Sequence, residues 1–157
     1  MFTKILFILF LTIFVFFRSD TVALDITATG GWTETINYSD LISGAGSDLT
    51  GTYESAANAT SLDITNSSGV GDKWRVDMQR SDSIWHANFT LYIKRVATPP
   101  RVSGGTTYTE IRTTSDAFID GKGNISGLTC QYQLTGMSVS IPPNTYSTTV
   151  TFTIVDT

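Results

Sequence analysis

A single cysteine, Cys130, and a single histidine, His86, stand among the 157 residues of the chain. One cysteine cannot close an intrachain disulfide, so the fold has to rest on its core and its hydrogen bonds. One residue of each kind also leaves too few ligands for a zinc site, which draws on clusters of both. Charge is scarce as well, at 15% of residues with a net charge of -4. The basic residues Lys73, Arg75, Arg80, Lys94, Arg95, Arg101, Arg112 and Lys122 are scattered among more numerous acids, a pattern that excludes a nucleic-acid footprint. After Leu24 no stretch keeps an apolar period of about 3.6 residues for a full helix, which excludes an α-helical domain.

The chain does carry one long apolar run, from Ile5 to Phe17, broken only by Thr12, preceded by Lys4 and followed by a polar stretch and the small residue Ala23. The run is shorter than the roughly 20 residues of a membrane-spanning helix and has the layout of a secretory signal peptide. Residues 1–23 are therefore expected to be cleaved, leaving a secreted or cell-surface chain from Leu24 onward with no membrane anchor. No cysteine follows the apolar run, as a lipoprotein requires, and the acidic residue and long retained helix of a type IV pilin are missing. The removed segment carries Lys4, Arg18 and Asp20, so the remainder is one unit more acidic than the whole chain. Residues 24–157 suffice for one domain that buries about two-thirds of its unfolded surface.

That remainder is written in β alternation. DKWRVDMQR sets Trp74, Val76 and Met78 on one face against Lys73, Arg75, Asp77 and Gln79 on the other. WHANFTLYIKR does the same with Trp85, Ala87, Phe89, Leu91 and Ile93, and the short SDS link between the two suits a hairpin. LDITA, WTETINY, TSLDITN, TYTEIRT, AFID, ISGLTCQYQL, MSVSI and YSTTVTFTIVD read as further strands. SDLISGAGSDLTG and ATPPRVSGGT read as loops, the second because Pro99 and Pro100 do not fit a central strand. The pattern predicts an all-β protein, a single immunoglobulin-like β-sandwich of about 7–9 mostly antiparallel strands.

No constellation of residues points to catalysis, to a metal or to a cofactor. His86 falls on the polar face of its strand and no nucleophile-elbow pattern accompanies it. Glu34, Glu54 and Glu110 are scattered, whereas glycoside hydrolysis needs two carboxyl groups about 5–10 Å apart. In DGKGN, Lys122 stands where a calcium loop needs an oxygen ligand between Asp120 and Asn124, and a turn explains the same letters. Cys130 shares a face with Leu128, Tyr132 and Leu134 and is expected to be a buried, inert thiol. Asn37, Asn58, Asn66, Asn88 and Asn124 each open an N-x-Ser/Thr triplet. The three tryptophans share parity with the aliphatic residues and are expected in the core, which leaves Tyr92 and Tyr108 as the exposed rings for stacking on a sugar.

The closing TYSTTVTFTIVDT puts Val150, Phe152 and Ile154 on one face and threonines on the other, so these three are expected to be buried as the core of a closing strand. This segment resembles the terminal strand of pilin-like surface subunits of the spore coat U and chaperone-usher groups, over about the last dozen residues. The resemblance implies a bacterial structural subunit that polymerises with itself by donating an N-terminal strand to a neighbour's sheet. LDITATGG is then the donor, with Leu24, Ile26 and Ala28 as inserted side chains and Gly30-Gly31 as hinge. The expected function is a secreted subunit of a surface fibre, pilus or coat, assembled by strand-edge pairing. The alternative is a monomeric adhesion module for a glycan or a surface protein, recognised through loops 41–51 and 97–106.

Overall fold

A computed structural model of the protein describes residues 23–157. The segment expected to be a signal peptide, residues 1–23, lies outside them but for its last residue. The described chain is all-β, with ten strands in two antiparallel sheets that pack as a β-sandwich. The six-stranded sheet runs β1 (Asp25–Gly30), β3 (Thr60–Thr65), β9 (Ile125–Thr135), β5 (Thr90–Arg95) and β7 (Thr109–Glu110), with β2 (Thr52–Glu54) also paired to β9. The four-stranded sheet runs β10 (Ser147–Asp156), β4 (Lys73–Ile84), β8 (Asp116–Lys122) and β6 (Val102–Gly104). One short 3-10 turn, Tyr38–Asp40, is capped by Asn37, whose side chain accepts from the Ser39 amide.

The core forms where the alternating faces of the two sheets meet. Leu62 and Ile64 of β3, Leu91 and Ile93 of β5, and Leu128, Cys130 and Tyr132 of β9 come from one sheet; Trp74, Val76 and Met78 of β4 come from the other. On β8 both Phe118 and Ile119 are buried, although neighbours on a strand normally point to opposite faces. A register shift between Val76 and Asp77 of β4 accounts for this. At such an irregularity the strand takes up an extra residue and re-aims a side chain. Arg95, buried on β5, donates from Nε to Gly104 O at 2.9 Å and from Nη1 to Ala97 O at 2.9 Å, which ties down the segment 97–106.

Several local expectations need correction. β4 runs straight through the SDS link and its later half pairs with β10, so β4 and β5 form no hairpin and lie in different sheets. WTETINY is not a strand: residues 31–37 are irregular and Tyr38 is 86% exposed. Here the Trp32 indole donates to Glu34 and the Asn37 cap starts a turn, so side chains two apart bond each other rather than a sheet. MSVSI is a turn, because the Asp48 carboxylate takes up the Val139 amide at 2.8 Å and the prolines Pro142 and Pro143 follow. Within ATPPRVSGGT the short β6 pairs with β8, the prolines staying outside it. Trp74 is buried, but Trp32 and Trp85 are only half-buried, and Ala87 is exposed.

Trp74 is the largest fully buried side chain, and its indole donates to Gly123 O at 2.8 Å. Its ring occupies the space beside Gly121, its register partner on β8, where any Cβ would run into it. Gly121→Ala is therefore expected to overpack this contact and destabilise the fold by about 1–3 kcal/mol. A urea denaturation midpoint unchanged from the parent protein would contradict this account of the core.

Candidate assembly edges

A sandwich leaves four lateral edges, and here they are unequal. On one side the sheets end in β7, two residues long, and β6, three residues long. Short edge strands offer little backbone to a foreign chain. On the other side they end in β1, six residues, and β10, ten residues. From Ser147 to Asp156 β10 carries no lysine, arginine or proline, the residues that usually blunt an edge.

The expected donor and closing-strand residues meet at this side. Ile26 and Ala28 lie opposite Ile64 and Leu62 of β3, and Phe152 and Ile154 lie opposite Met78 and Val76 of β4. Residues directly opposite share a face, and all four β3 and β4 partners are buried, so both sets face inward. Leu24, Ile26, Val150, Phe152 and Ile154 pack against the core, and Phe152 sits 6.5 Å, centroid to centroid, from Phe118. The expectation that Val150, Phe152 and Ile154 are buried needs correction: they are half-buried, as are Leu24 and Ile26, and Ala28 is exposed. An edge strand has a neighbour on one flank only, so its inward side chains are covered from one flank only.

β1 and β10 come within 8 Å of each other, Cα to Cα, without pairing. A strand hydrogen-bonded to both would need two spacings of about 4.7–4.9 Å, close to 10 Å in all. Where the two strands are closest, no guest strand fits while β1 is in place. Gly30 ends β1 with φ of 109°, and the Gly31 amide donates to Ala59 O at 2.8 Å. A Cβ at Gly30 would collide with Ala59 O, so the exit from β1 requires glycine.

The other residues singled out in the sequence are dispersed. Glu54, Gln133, Tyr92 and Glu110 form one register row across β2, β9, β5 and β7. Three strand spacings put Glu54 and Glu110 about 14 Å apart along the sheet, beyond the window for a glycosidase pair. Tyr108 is half-buried with the Lys94 ammonium 4.3 Å over its ring, so that ring is not a free platform. His86 is half-buried and stacks edge-on against Tyr146, beside Phe89 and Trp85, an aromatic cluster the sequence pattern did not announce because Tyr146 lies 60 residues beyond His86. The turn at Gly123-Asn124 joins β8 to β9 across the two sheets. Asn37, Asn58, Asn66, Asn88 and Asn124 are all exposed.

No family model, curated protein or solved structure matches the chain.

Two expectations follow from this packing. Phe152→Ala should cost about 2 kcal/mol, less than the roughly 3–5 kcal/mol of a fully buried phenylalanine, because the residue is already partly exposed to water. A loss of 4 kcal/mol or more in chemical denaturation would contradict the half-open edge. Cys130 is fully buried, and burial pushes its thiol up to about 12 from an ordinary value of 9.0. The folded state then holds the proton that the unfolded state releases, so stability falls as pH rises from about 9 toward 12. Cys130→Ala should flatten that decline in pH-dependent denaturation. A decline of the same slope in both proteins would contradict it.

Proposed function

We propose that the protein is a secreted structural subunit of a surface fibre, pilus or coat, assembled with copies of itself by exchange of β1. The observation that carries this reading is the asymmetry of the edges: short strands on one side, and on the other two long strands with half-covered apolar faces. On this side it is the pairing of β1 along β3 that can be made between copies, the open flank of β10 marking the side rather than supplying the template. Exchange rather than insertion is the mode that the narrow approach of β1 to β10 supports. In the exchanged state a neighbour's Leu24, Ile26 and Ala28 take the places of the subunit's own, and residues 30–37 act as the connection between subunits. Such a contact joins different surfaces of two copies and does not close on itself, so it propagates as a filament.

A second reading, a monomeric adhesion module for a glycan or a surface protein, is favoured by one feature. Tyr38, Ile42 and Val139 are exposed apolar side chains on loops joined through Asp48, which bonds to the Val139 amide and whose carbonyl accepts from the Ile42 amide. Apolar loop residues held in this way suit recognition better than assembly.

Negative-stain microscopy separates the two. The chain beginning at Leu24 is expected to form filaments, and the chain lacking residues 24–29 is expected to stay monomeric and to be restored in stability by a peptide of the deleted sequence. Unaltered filaments from the truncated chain would exclude β1 as the exchanged strand, and a full-length chain that remains monomeric would favour the adhesion module.

A further inference from the structure

Lys73 of β4 and Lys122 of β8 are register partners. Side chains directly opposite in an antiparallel pair share a face about 4.5–5.5 Å apart at Cβ, and like charges in that position destabilise the sheet. Trp74 points into the core, so Lys73 and Lys122 point outward, and both are exposed. A third cation, Arg101, stands with them around a pocket of about 170 Å³ on the outer face of the four-stranded sheet.

Among the described residues, the other cations each have an internal partner. Arg75, Arg80 and Arg112 pair with carboxylates, Arg95 donates to carbonyls, and Lys94 lies over Tyr108. Within the described residues, Lys73, Arg101 and Lys122 have no carboxylate within ion-pair distance. Arg101 also adopts φ of 73°, left-handed backbone in the turn opened by Pro100, where glycine is the usual residue. Its carbonyl accepts from the Lys122 amide at 3.2 Å, which fixes the turn beside the lysine pair. Ser103 adds a hydroxyl to the lining. Asp120 is the acidic side chain beside the pocket and the register partner of Arg75, and Thr157 also lines it.

The geometry points to an oxyanion site at Lys73, Lys122 and Arg101, whose ligand is a sulfate or phosphate group, free or carried as an ester on a polysaccharide. A volume below the roughly 300–1,000 Å³ of sites that enclose a whole drug-sized ligand suits one such group. An anion between the lysines removes their mutual repulsion, so binding and stability are coupled: whatever binds the folded state alone raises its melting temperature. This site is independent of the assembly edges.

The test uses the chain from Leu24 to Thr157 in sodium sulfate, sodium phosphate and sodium chloride at matched ionic strength, with dextran sulfate as the polymeric probe. Sulfate and phosphate should raise the melting temperature more than chloride does. Lys122→Gln should raise it without added anion, by relieving the repulsion, and should weaken sulfate binding about tenfold or more. Lys73→Gln should do the same, and Asp120→Asn should tighten binding. Dextran sulfate binding more tightly than the free ion, with both lost in the lysine variants, assigns the site to a polymer; equal affinities assign it to the free ion. Melting temperatures that follow ionic strength alone, or lysine variants that bind sulfate like the parent protein, would overturn the proposal.

Discussion

With no disulfide to hold it, the sandwich depends on β4, the strand that presents Trp74, Val76 and Met78 to the opposite sheet while pairing with β10 on one flank and β8 on the other. The Trp74 ring fills the space that Gly121 leaves, and its indole N–H is spent on Gly123 O, so the largest buried side chain has no unpaired polar atom. The same strand sets the position of every other element in its sheet. β8 is drawn close by the Trp74–Gly121 fit and irregular at Val76/Asp77, and β10 lies on the far flank. Stability and the open edge thus share one origin: β4 secures β10 on one flank only, leaving the other flank of β10 without a partner.

The two sides of the sandwich resolve that openness differently. Two- and three-residue strands at β7 and β6 end the sheets where little backbone is offered. At β1 and β10 the strands are long, the inward side chains only half-covered, and the outward side chains of β10 are Thr149, Thr151 and Thr153 rather than lysines. A protein selected to stay monomeric tends to guard such an edge with charge, proline or a bulge. The irregularity between Ser147 and Thr148 touches only the first residues of β10 and leaves the rest of the strand regular.

Alternation in the sequence records which face of a strand is buried, and to that extent the fold was legible. Trp74, Val76, Met78, Leu91, Ile93, Leu128, Cys130 and Tyr132 all lie inward as their parity required. Alternation does not record which strand lies alongside. β4 and β5, neighbours in sequence, belong to different sheets, and so do β8 and β9, because pairing is decided by contacts far apart in the chain. WTETINY and MSVSI alternate yet form no strand, since Asn37 takes the Ser39 amide locally and Asp48, distant in sequence, takes the Val139 amide. Of the candidate site, the facing of Leu24, Ile26, Phe152 and Ile154 could be read in advance. Their meeting on one side, their partial exposure and the opposition of Lys73 to Lys122 could not, because each depends on register.

Hydrogen exchange on the chain from Leu24 to Thr157, before and after assembly, tests the central claim most directly. In the unassembled subunit the amides of β10 that face away from β4 are expected to exchange rapidly. In assembled material β1, whose pairing with β3 is then made between copies, is expected to exchange more slowly, while the outward amides of β10 and the protection of β4 and β9 stay as they were. Assembled material in which β1 exchanges as it does in the free subunit would contradict the account.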